Sequence, residues 1–72
     1  MQRVTIGKNL ERIRRSKRLS KLELSKSSGV SRSYISEMES NKYSNLSLEV
    51  ICKLCKALEI TPNDLIPEEL YR

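Results

Sequence analysis

Seventy-two residues, 38% hydrophobic and 32% charged, with no Phe and no Trp, allow one small domain whose interior must be filled by Leu, Ile and Val. This balance excludes a disordered tail, and with no histidine there can be no Ser-His or Cys-His pair to activate a nucleophile. The net charge of +5 is unevenly spread, with eleven positive and four negative side chains in residues 1–42 against three and five in residues 43–72, which suits a surface that meets a polyanion but also a merely solvated basic face.

The first helix is expected to start after Thr5, a capping residue, because Ile6, Leu10 and Ile13 recur at helical spacing and form one buried stripe. Arg12 and Arg15 then face water, and the helix ends near Lys17 and Arg18, whose charges suit the negative end of its dipole. Ser20 to Glu23 reads "SKLE", the S-x-x-E of a capping box, and opens a second helix that runs to about Ser28 with Leu24 as its main core residue. Gly29 can end that helix in a left-handed conformation at low steric cost. Val30 then anchors the turn in the core while Ser31 caps a third helix that buries Ile35 and Met38.

Turn-forming residues make Ser40 to Leu46 a loop. Ser47 caps a fourth helix, whose Leu48, Ile51, Leu54, Cys55 and Leu58 form the longest apolar stripe in the chain. A short fifth helix follows, with Thr61 as cap, Pro62 at its first position and Asp64 near the positive end of the dipole; Pro67 limits it. No repeat or linker divides these pieces, so residues 1–72 are expected to be a single all-α domain with its core at about 5–66 and a short tail at 67–72.

Cys52 and Cys55 form a C-x-x-C inside the fourth helix, where helical geometry does not readily close a disulfide and two thiolates cannot complete a zinc shell. Cys55 is expected in the core and Cys52 partly buried. There is no phosphate-cradling glycine loop, and neither an apolar signal region nor a spanning segment is seen, so the expectation is a cytoplasmic non-enzyme without cofactor, metal or evident small-molecule ligand.

Four segments, "LERIR" at residues 10–14, "LSKLELS" at 19–25, "GVSRSYISEME" at 29–39 and "SLEVICKLCKALEITPNDLI" at 47–66, follow one another in an order and spacing that resembles the phage Cro and repressor type of helix-turn-helix, the xenobiotic-response-element-like regulators. The resemblance covers about Ile6 to Ile66. It implies a compact five-helix, lambda-repressor-like DNA-binding domain with the helix-turn-helix at helices two and three, and the third helix in the major groove.

On that reading Arg32, Ser33, Ser36 and Glu37, opposite Ile35 and Met38, face the bases. Arg32 can donate twice to guanine, Glu37 can accept from cytosine, and the serines are less selective. Lys21 stands where the family usually has a phosphate-contacting Gln; Ser20 and Tyr34 join it as backbone contacts. Lys42, Tyr43, Ser44 and Asn45 match the loop that grips the backbone in relatives. Arg14 and Glu39 occupy positions that pair in many relatives, implying a structural ion pair. Arg18 and Glu59 stand where relatives often carry Gly, which implies strain if those sites need a positive φ.

A lone module of this size makes few contacts, so the expected regulator is a homodimer on an inverted-repeat double-stranded DNA operator. Ile66, Leu70 and Tyr71 are candidates for the dimer interface, since the last segment is too short to bury them within one subunit, although Leu70 and Tyr71 could equally belong to a frayed tail. Relatives of this fold also include antitoxins and modules whose main partner is another protein, and that reading stays open beside the first.

Overall fold

Caps and apolar spacing set the helices where the sequence marks them. The computed structural model describes residues 5–41 and 46–68, and within them are α1 (Ile6–Ser16), α2 (Lys21–Ser28), α3 (Arg32–Glu39), α4 (Leu48–Leu58) and α5 (Pro62–Leu65), with no strand. The Thr5 hydroxyl accepts the Lys8 N–H at 3.1 Å and Ser31 accepts the Tyr34 N–H at 3.1 Å. At α2 the capping box is complete: Glu23 N–H donates to the Ser20 hydroxyl at 3.0 Å, and Ser20 N–H donates to the Glu23 carboxylate at 2.9 Å.

One N-terminus differs from the expected pattern. Ser47 holds the capping position of α4 but makes no side-chain cap hydrogen bond. At α5 Thr61 holds the capping position as expected, and the Asp64 carboxylate closes a capping box by accepting the Thr61 N–H at 3.1 Å and its hydroxyl at 3.2 Å.

Left-handed residues end four helices. Gly29 has φ 79° after α2, as expected of a glycine there, while Arg18, Asn41 and Glu59 have φ of 58°, 59° and 57°. At α1 the Arg18 N–H bonds the Arg15 carbonyl at 3.0 Å and the Leu19 N–H reaches back to the Arg14 carbonyl at 3.1 Å; at α4, Glu59 and Ile60 bond Lys56 and Cys55 in the same way at 3.3 and 3.0 Å. The positive φ that the family pattern implied at positions 18 and 59 is therefore present. Asn tolerates this conformation, whereas Arg and Glu pay roughly 1 to 2 kcal/mol for it.

The core joins all five helices. Leu10, Leu24, Ile35, Leu54, Leu58 and Leu65 are fully buried, and Ile13, Val30, Met38, Ile51 and Cys55 complete the interior. Each fully buried aliphatic side chain contributes on the order of 2 to 3 kcal/mol. Helix α1 packs on α3 and α5, α4 packs on α2 and α5, and α2 packs on α3, so α3 is held from two sides. One contact is unusually close: a Cβ at Gly7 would collide with the Met38 carbonyl oxygen and lie 2.6 Å from the Asn41 side-chain oxygen. Glycine at position 7 is what lets the start of α1 lie against the end of α3.

Two apolar positions depart from expectation. Leu48 is 71% exposed, because it lies in the first turn of α4 and about 60° around the helix from Ile51, at the margin of the buried stripe. Cys52 is exposed rather than partly buried, because the α4 stripe turns Cys55 inward and leaves Cys52 on the outer side; burial pushes the Cys55 thiol pKa up.

Candidate nucleic-acid interface

The outward side of α3 follows from its inward side. Ile35 and Met38 are buried, and Glu39 is drawn inward beside them. Helical periodicity then turns Arg32, Ser33, Ser36 and Glu37 to the opposite side, where they line an open depression. Arg32 and Ser33 are exposed, Ser36 and Glu37 half-buried. Within the described residues none of these four side chains is engaged in a hydrogen bond or ion pair, so a guanidinium, a carboxylate and two hydroxyls face outward together. Tyr34 is half-buried, its ring packed against the core, which places it at the side of this surface rather than on it.

Orientation of the helix comes from beneath. Arg14 of α1 donates from Nε to Glu39 Oε2 at 2.8 Å and from Nη2 to Glu39 Oε1 at 3.0 Å, while Nη1 donates to the Leu19 carbonyl at 2.7 Å. Both residues are 6% exposed. The hydrogen bond to Glu39 raises the Arg14 pKa above its ordinary value, against the opposing effect of burial. A single guanidinium thus ties together α1, the end of α3 and the connection into α2. The same end of α3 is also latched to α1, since the Thr5 hydroxyl donates to Asn41 Oδ1 at 2.8 Å.

The start of α2 lies at the end of that same connection. The capping box occupies the N–H groups of Ser20 and Glu23, leaving those of Lys21 and Leu22 without a hydrogen bond among the described residues. The Ser20 hydroxyl accepts the Glu23 N–H at 3.0 Å. Lys21 is half-buried, with exposed Lys17, Arg18 and Lys26 on the neighbouring turns. This end combines open donors with positive charge, which is the chemistry of phosphate contact.

Lys42, Tyr43, Ser44 and Asn45 lie outside the described residues, as do Leu70 and Tyr71. Ile66 is half-buried and packs against the core. The sequence reading did not single out Gly7, Asn41 or Asn9, whose amide donates to the Leu65 carbonyl at 3.0 Å and fixes α5 on α1. An isolated glycine in a helical pattern and an Asn just past a helix are the signals that mark the first two. Among the described residues no group of three His, Cys, Asp or Glu side chains is placed to hold a metal, and no helix is long and apolar enough to cross a membrane.

Comparison with known proteins agrees with this geometry. The family described as Helix-turn-helix matches residues 10–65. The chain is 31% identical over 64 residues to the HTH-type transcriptional regulator SinR of Bacillus subtilis (strain 168), covering 89% of this chain and 58% of that protein. It is 30% identical over 66 residues to the immunity repressor protein of Bacillus phage phi105, covering 92% and 45%. The chain thus spans about half the length of these curated relatives. Its fold superposes on the restriction-modification controller protein C.AhdI from Aeromonas hydrophila with a TM-score of 0.80, 39% identity and coverage of 85% of this chain and 91% of that one. The crystal structure of SinR in complex with DNA gives a TM-score of 0.81, 31% identity and coverage of 85% and 97%. A family match across most of the residues, joined to a helix pair built as described above, means that the chain belongs to the helix-turn-helix family, of the Cro and repressor type.

Proposed function

We propose that the chain is a sequence-specific double-stranded DNA-binding transcriptional regulator that acts in the cytoplasm as a homodimer on an inverted-repeat operator. The observation that carries this reading is the outward face of α3, where Arg32, Ser33, Ser36 and Glu37 present unengaged donors and acceptors on a helix held rigidly from below by Arg14 and Glu39. Arg32 reads guanine, Glu37 accepts from cytosine, and the serines adjust to either. Ser20, Lys21 and Tyr34, with the loop residues Lys42, Tyr43, Ser44 and Asn45, grip the sugar-phosphate backbone on both sides of the groove. That SinR has been solved in complex with DNA supports DNA as the partner.

Ile66, Leu70 and Tyr71 form the dimer surface in the acidic third of the chain, with the two recognition helices related by the two-fold axis. Selection from a random duplex library tests the whole proposal. The expected product is a two-fold symmetric site with half-sites about one helical turn, ~10 base pairs, apart. A library that returns no enriched sequence overturns DNA reading and leaves a protein-partner module, and an enriched but asymmetric single site overturns the homodimer. In sedimentation, Leu70→Asp with Tyr71→Asp should yield monomers; an unchanged dimer removes both residues from the interface.

A further inference from the structure

The connection between α1 and α2 carries a charged side chain at a helix-ending position whose backbone does not require one. Arg18 adopts a left-handed backbone, φ 58°, which is unfavourable for a residue with a Cβ. The backbone hydrogen bonds that end α1 account for that conformation, but the side chain itself is exposed and makes no hydrogen bond or ion pair within the described residues. Strain of this kind persists where the surroundings over-determine the backbone, and it concentrates at functional positions. Here the surroundings are rigid. Arg14 Nη1 holds the Leu19 carbonyl at 2.7 Å, and the Leu19 N–H holds the Arg14 carbonyl at 3.1 Å. Because Arg14 also grips Glu39 at the end of α3, the position of Arg18 is fixed relative to the recognition helix.

Charge distinguishes this site from its structural twin. Glu59 ends α4 with the same backbone, φ 57°, and the same pair of terminal hydrogen bonds, but it is acidic and lies in the acidic third of the chain. Arg18 lies between exposed Lys17 and half-buried Lys21, within one turn of the open N–H groups that begin α2. We infer that Arg18 is a phosphate anchor, a guanidinium held by its left-handed backbone against the sugar-phosphate chain beside the start of α2, adding a positioning contact that a glycine at this site could not make. This rests on the DNA-binding reading above and assigns a further residue to it. A guanidinium suits the role because it can bond two phosphate oxygens at once.

The experiment compares the full chain with Arg18→Gly, Arg18→Lys and Glu59→Gly, titrated against the selected operator and a scrambled duplex from about 0.05 to 0.3 M salt, with thermal melts of each protein. Arg18→Gly should melt several degrees higher, since the strain is released, yet bind both duplexes more weakly by about eightfold per half-site near 0.1 M salt, with a salt slope shallower by about 0.9 per half-site. Arg18→Lys should keep most of that slope. Glu59→Gly should also melt higher but bind at least as tightly as the parent. Arg18→Gly binding with unchanged affinity and slope overturns the inference while leaving DNA binding intact, and so does an Arg18→Gly protein that melts lower than the parent, because the guanidinium would then serve the fold. If the parent chain itself binds neither duplex, the DNA-binding reading fails, and the anchor with it.

Discussion

Arg14 and Glu39 meet through two parallel hydrogen bonds of 2.8 and 3.0 Å, 25 residues apart in sequence and with each residue only 6% exposed. Removing one partner leaves the other charge buried, so Arg14→Ala or Glu39→Ala alone should destabilise the fold by about 3 to 5 kcal/mol. Replacing both, as Arg14→Met with Glu39→Leu, should recover most of that loss, because no charge then remains desolvated. Urea unfolding of the four proteins in a double-mutant cycle measures it. Losses that simply add would show that the two residues do not act as a pair.

Gly7 sets the distance between α1 and α3. Helix propensity alone favours Gly7→Ala by about 1 kcal/mol. The collision of the new methyl with the Met38 carbonyl must outweigh that, because the obstacle is backbone that cannot rotate away. A net destabilisation of about 1 to 3 kcal/mol is expected, visible as a lower melting temperature by circular dichroism. A more stable alanine variant would mean that the helices do not approach this closely.

Reading and gripping should separate in titrations over a range of salt. Arg32→Ala should cost about 1 to 3 kcal/mol on the operator and relax preference at one base position per half-site, with a smaller effect on scrambled DNA. Lys42→Ala should weaken all sequences nearly alike and reduce the salt slope by about one per site. Equal losses on operator and scrambled DNA for Arg32→Ala would remove Arg32 from base reading.

The capping box predicts a pH dependence. The Ser20 backbone N–H, and then its hydroxyl, hold the exposed Glu23 carboxyl below its ordinary range. A carboxyl whose pKa is lower when folded binds fewer protons in the native state, so its stabilisation is full above the unfolded pKa, roughly 4.3, and is lost as pH falls through the folded value. Glu23→Gln keeps a box-forming side chain but cannot titrate. Its stability near pH 7 should change little, and its curve between about pH 5 and 3 should be flatter than the parent's in urea titrations. An equally steep acid limb would assign that slope to other carboxyls.

Local rules carried most of the backbone. The caps at Thr5, Ser20 and Ser31, the glycine turn at Gly29 and the stripe through Ile51, Leu54, Cys55 and Leu58 are all contained within a few residues of chain, and each stands where the sequence marks it. The polar side of α3 was legible for the same reason: once Ile35 and Met38 are buried, period 3.6 turns Arg32, Ser33, Ser36 and Glu37 outward together. The Arg14 and Glu39 pair came from family resemblance, since nothing local joins residues 25 apart.

The rest depends on contacts between elements distant in the chain. Leu48 shares the apolar character of its stripe but is left at an exposed margin in the first turn of α4, and Cys52 falls on the outer side of the same helix. Periodicity ranks the faces of a helix, but the extent of each face that is covered depends on where the neighbouring helices stop. Gly7 against Met38, Thr5 bonded to Asn41, and Asn9 bonded to Leu65 are likewise decided only when α1 lies across α3 and α5. The sequence by itself determined where each helix begins, ends and turns its apolar side, because those choices are made by hydrogen bonds and rotations within about one turn of chain. How closely the helices approach, and which of their edges remain in water, only the tertiary structure decided, because steric contact and burial are properties of surfaces brought together from different parts of the chain.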